Sequence, residues 1–167
     1  MPELNNQNFN HLKIHTQYSI CEGAIKIDNL KDFCKEKKIP CLGISDTSNL
    51  CGALEFAENI SKVGTQPIIG TQIYFRFEDT TGLLPLIALN ENGYKRIIEL
   101  SSRSYLENDA LSDPHLDVKD LLIDTEGVSL LSGTIQGLFG KLFEKGRLDE
   151  ISKLYRSLSS KFNDNFY

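Results

Sequence analysis

Metal-binding side chains are scarce in this sequence. Its 167 residues include three histidines and four cysteines. None of Cys21, Cys34, Cys41 and Cys51 forms a C-x-x-C pair, and no later Cys or His cluster completes a zinc pattern. Reduced, partly buried thiols are therefore expected. No apolar run approaches the roughly 20 residues that span a membrane. The stretch Met1 to Asn10 is polar and lacks the basic start and apolar run of a signal peptide, so a cytoplasmic protein without membrane contact is expected. There is no G-x-S-x-G, Walker A or G-x-G-x-x-G sequence. An excess of positive charge is also missing: 18 Lys and Arg stand against 23 Asp and Glu, a net charge of −5. Duplex DNA binding draws on a basic face that displaces counterions. The chain alone is expected to bind DNA poorly. Its longest basic run, Lys35-Glu36-Lys37-Lys38, reads as a helix end, where cations suit the dipole.

What is present is enough for a folded core. Apolar residues make up 40% and charged residues 25% of a length that suits one domain. The pattern alternates strand and helix. His11 to His15 reads as a short strand, with 11, 13 and 15 on one face and Leu12 and Ile14 on the other. Leu30, Phe33 and Cys34 mark a helix over 27–38, its start capped by Asp28 or the residue before it. Pro40 stops it. Cys41 to Ser45 reads as a buried strand with Asp46 at its C-terminal end. A helix over 50–63 follows, ended by Gly64. Pro67 begins a third strand running towards Phe77, and Glu78 to Gly82 is a polar turn. Leu83 to Leu89 is a fourth strand, after which Asn90 caps a helix holding Tyr94, Ile97, Ile98 and Leu100. Residues 107–117 read as a loop and Val128 to Leu131 as a fifth strand. Two helices fill about 135–145 and 148–161, and Asn165 to Tyr167 looks like the opening of a sixth strand. Such spacing predicts α/β architecture with a mostly parallel sheet.

In parallel α/β folds, sites gather at the C-terminal strand ends. That rule selects His15, Asp46, Gln72 and the loop bearing Glu22. A zinc or other divalent site draws on imidazoles and carboxylates together. Here His15, Glu22 and Asp46 would be its ligands, and His115 lies apart in a polar loop.

Several stretches resemble one family. His11-Leu-Lys-Ile-His15-Thr-Gln-Tyr18-Ser19, then Glu22-Gly23-Ala24, is similar to the opening H-L-H-V-H-S-x-Y-S-x-x-D-G-A of the PHP domain at the N-terminus of bacterial DNA polymerase III alpha subunits. Gly43 to Ala53 resembles A-L-T-D-H-G-N-L-x-G-A. Pro67 to Gln72 resembles P-I-I-G-C-E. Asn92-Gly93-Tyr94 with Leu100-Ser101-Ser102 and Leu130 to Gly133 resemble two further motifs, in the family's order. The resemblance implies the N-terminal part of a distorted, TIM-like PHP barrel of about seven βα units, with a polar tail over 1–9 and the PHP domain over 10–167, cut before its last strands.

Departures from the family's pattern cluster at its metal ligands. Lys13 stands where the family has a ligand His, and His15 keeps the next. Glu22 replaces Asp. Asp46 is kept, Thr47 replaces the adjacent His, and Gln72 replaces Glu. Near Leu83 the family often has a His that is absent here, and Thr134 stands in place of a Cys. The expectation is a vestigial pocket of Lys13, His15, Glu22, Asp46, Thr47 and Gln72 without metal, in which the Lys13 ammonium pairs with Asp46 or Glu22. The alternative is an active 3′–5′ exonuclease or phosphoesterase holding Zn, Mn or Mg on His15, Glu22 and Asp46. The resemblance further implies DNA-directed DNA synthesis in the intact subunit, with Mg in a polymerase site outside this chain and DNA contacted only there. Expected partners are the rest of the alpha subunit and the proofreading exonuclease, and an open sheet edge is expected to promote self-association.

Overall fold

Ile27, Leu30 and Cys34 recur at helical spacing and form the buried stripe of α1 (Ile27–Lys37). In the computed structural model, which describes residues 9–109 and 111–167, this helix starts without a side-chain cap. Lys26 occupies the cap position. Asp28 sits instead in the first turn, 3.6 Å from Lys31, where a carboxylate still favours the helix dipole. Lys38 ends the helix in the left-handed conformation, with φ 51°.

β1 (Cys41–Thr47) runs two residues past the expected end and takes in Asp46. α2 (Ala53–Ser61) is shorter than the 50–63 pattern, because residues 51 and 52 form a turn. β2 (Gln66–Phe77) lies parallel to β1, in a register that pairs Cys41 with Gln66 and Thr47 with Gln72. Then the direction reverses. Only Glu78 and Asp79 separate β2 from β3 (Thr80–Ala88), and Glu78 turns the chain at φ 53°. A parallel crossover takes a dozen residues or more, so β3 pairs antiparallel with β2. The sheet is thus mixed: β1 and β2 are parallel, and β3 is antiparallel to both its neighbours, β2 and β5 (Val128–Leu130).

α3 (Glu91–Leu106) begins as expected, with the Asn90 side chain accepting the Gly93 N–H at 3.0 Å. Gly93 has no room for a side chain, since a Cβ there would meet the Gly127 carbonyl oxygen at 1.7 Å. The expected loop over 107–117 ends in a two-residue strand, β4 (Leu116–Asp117), parallel to β2, and leads into the short α4 (Val118–Leu121). α5 (Leu138–Glu144) and α6 (Leu148–Phe162) match the two expected C-terminal helices. Phe166 bridges Leu130 in parallel, consistent with the opening of a further strand.

Residues 11–15 form an extended segment along β1 rather than a full ladder. Ile14 bridges Ile44, and the carbonyls of His11 and Ile14 accept from Gly43 and Ser45 at 2.7 and 2.8 Å. A Cβ on Gly43 would meet the Leu12 Cα at 2.9 Å, so glycine is what admits the segment. The expected tail over 1–9 lies, except for Phe9, outside the described residues.

Two apolar clusters pack on one side of the sheet. Leu42 and Ile44 pack with Ile27, Phe56 and Ile60 under α1 and α2. Ile73, Phe75, Leu84, Leu86, Val128 and Leu130 pack with residues of α3, α5 and α6. Strand alternation sends Thr47, Gln72 and Pro85 to the opposite face. Helices on one face and a polar-tipped inner face on the other are what a fragment of a distorted TIM-like barrel would show.

Candidate functional site

The inner face carries a cavity of about 270 Å³ whose lining includes Lys13, His15, Glu22, Gln72, Pro85 and Thr134. Five parts of the chain build it. The extended N-terminal segment contributes Lys13 and His15. β2 contributes Gln72, β3 contributes Leu83 and Pro85, and the loop after β5 contributes Gly133, Thr134, Gln136 and Gly137. Glu22 comes from the turn that follows the N-terminal segment.

Thr47 and Gln72 face each other across the β1–β2 register. The Gln72 Nε2 donates to Thr47 Oγ1 at 2.7 Å, and Thr47 Oγ1 donates to Glu22 Oε2. A hydrogen-bonded chain thus links β2 through β1 to the mouth of the cavity. Gln72 is 2% exposed, and its Oε1 has no hydrogen-bond partner among the described residues. Among the same residues the His15 Nδ1 is also without a hydrogen-bond partner and lies 3.9 Å from Glu22 Oε2. Tyr74 shares the strand face of Gln72. Its phenol is pushed up from its ordinary value, first by burial and then by the Glu22 charge.

Asp46 is turned away. It belongs to the helix-facing set of β1 and is 2% exposed. Its carboxylate accepts the Thr16 N–H at 2.6 Å, the Thr16 hydroxyl at 2.7 Å and the Ser19 hydroxyl at 2.7 Å. Those bonds pin the turn after the N-terminal segment to the end of β1. The expected pairing of Lys13 with Asp46 or Glu22 does not form among the described residues. Asp46 is engaged on the other face, and Glu22 gives its contacts to Thr47 and His15. The structure therefore brings Lys13, His15, Glu22 and Gln72 around the cavity, places Thr47 behind them, and leaves Asp46 outside.

Catalytic zinc takes three protein ligands, and structural zinc takes four. Among the described residues no group of three or more His, Cys, Asp and Glu side chains is placed to hold a metal ion. Of the set His15, Glu22 and Asp46, only the first two approach each other. The Lys13 ammonium in the lining adds a charge of the wrong sign for a cation site. The residues present do not fit a metal. Thr16 and Ser19, which hold Asp46, and Gln136, in the cavity wall, escaped the sequence reading. Ser19 lies inside the opening motif, and Gln136 carried no signal at all.

Comparison with known proteins agrees with these motifs. The PHP domain family model matches residues 11–167. The DNA polymerase III subunit alpha of Caulobacter vibrioides is 36% identical over 176 residues, covering 100% of this chain and 15% of that protein. The Rickettsia felis subunit is 34% identical over 161 residues, covering 95% of this chain and 13% of its own length. That of Vibrio cholerae is 31% identical over 162 residues, with 95% and 14% covered. The chain thus spans about 15% of the length of such relatives. An amidohydrolase from Chromobacterium violaceum aligns over 88% of this chain and 54% of its own at 13% identity, with a TM-score of 0.44. The family match runs from the first cavity-lining strand segment to the last residue, and on that ground the chain belongs to the PHP domain family.

Proposed function

We propose that this chain is the N-terminal PHP domain of a replicative DNA polymerase III alpha subunit, and that its role is architectural rather than hydrolytic. The observation that carries this reading is the chain from Gln72 through Thr47 to Glu22. A threonine hydroxyl and a carboxamide bond to each other and tie up the one cavity carboxylate, where the family's pattern has a histidine and a glutamate. Hydrolysis of a phosphoester by metal ions requires a fixed ligand set that lowers the pKa of a bound water. His15 and Glu22 alone do not make one. DNA synthesis then belongs to residues outside this chain, with Mg at that distant site. The remainder of the alpha subunit is the first partner, the proofreading exonuclease a second, and self-association through the open sheet edge a third. The compartment is the cytoplasm, in keeping with the absence, among the described residues, of a helix long and apolar enough to cross a membrane.

Incubating the purified chain with 3′-labelled single-stranded DNA and Mn²⁺, Zn²⁺ or Mg²⁺ tests the reading. The expected result is no release of the terminal nucleotide above the protein-free control. Metal-dependent release that disappears in His15→Ala would establish the hydrolytic alternative instead.

A further inference from the structure

We draw no further inference here: the strongest candidate, the apolar groove on the inner face of the sheet lined by Leu12, Ile68, Ile87, Leu89, Leu131 and Tyr167, is an unpartnered surface, and nothing in the structure shows what covers it.

Discussion

Asp46 and Thr47 are neighbours on β1, and they hold the same turn from opposite faces of the sheet. Asp46 takes Thr16 and Ser19 on the helix side. Thr47 takes Glu22 on the inner side, and its own N–H donates to Ser19 Oγ at 3.0 Å. The turn that carries the cavity's carboxylate is therefore held at both faces by one strand end.

Replacing Asp46 should loosen that grip. Asn at this position can accept at one oxygen only and presents an amide to the remaining donors. Asp46→Asn is expected to lower stability by roughly 1–3 kcal/mol, the range for losing hydrogen bonds to a buried charge. Urea unfolding with an unchanged m-value is the measure. A midpoint equal to that of the parent would mean that the clasp contributes nothing.

Thr47→Val keeps the volume and removes the hydroxyl between Gln72 and Glu22. It leaves Gln72 Nε2 as a buried donor without a partner, at a cost of roughly 1–3 kcal/mol. Thr47→Ser keeps the hydroxyl and should lie close to the parent. If the two variants unfold together, the hydroxyl is not what matters at this position.

How far the site could be read from the sequence turned on this pair. A strand that ends at Ser45 puts Asp46 at its C-terminal tip with no assigned face, and so beside His15 and Glu22. Extending the strand to Thr47 applies the alternation of faces, which puts Thr47 inside with Gln72 and Asp46 outside. Helix positions were more legible. The Asn90 cap and the stripes of α1 and α3 follow from local spacing. The antiparallel course of β3 was harder, because apolar runs do not record direction, and only the two-residue link through Glu78 and Asp79 fixes it.

The thiols should separate by burial. Cys21 and Cys51 are exposed and Cys34 is buried. A thiol reagent should modify the first two rapidly and Cys34 only on unfolding. Burial raises the Cys34 thiol above its ordinary value of 9.0. The unfolded chain thus releases this proton first, and stability falls as pH rises past that value. Cys34→Ala should flatten this alkaline decline. Fast labelling of Cys34 in the folded chain would contradict the packing of α1 on β1.

Arg76 and Asp117 join β2 to β4 at 2.9 Å, and the guanidinium holds the Asp117 carboxyl below its ordinary value of 3.8. The sign is that of a depressed acid. Its stabilisation is complete above the unfolded value and is lost as pH falls through the folded one. Both side chains are nearly half exposed, so the effect is small. Asp117→Asn should reduce the acid slope of stability below pH 3.8 and leave neutral stability almost unchanged. An acid limb identical in variant and parent would remove this pair from the account.

Isothermal titration of the purified, chelator-treated chain with Zn²⁺ and with Mn²⁺, backed by elemental analysis of the untreated protein, is the most direct trial of the architectural reading. That reading predicts no stoichiometric uptake and no metal-induced rise in melting temperature. One or more ions bound tightly per chain, with the affinity lost in His15→Ala and Glu22→Gln, would contradict it.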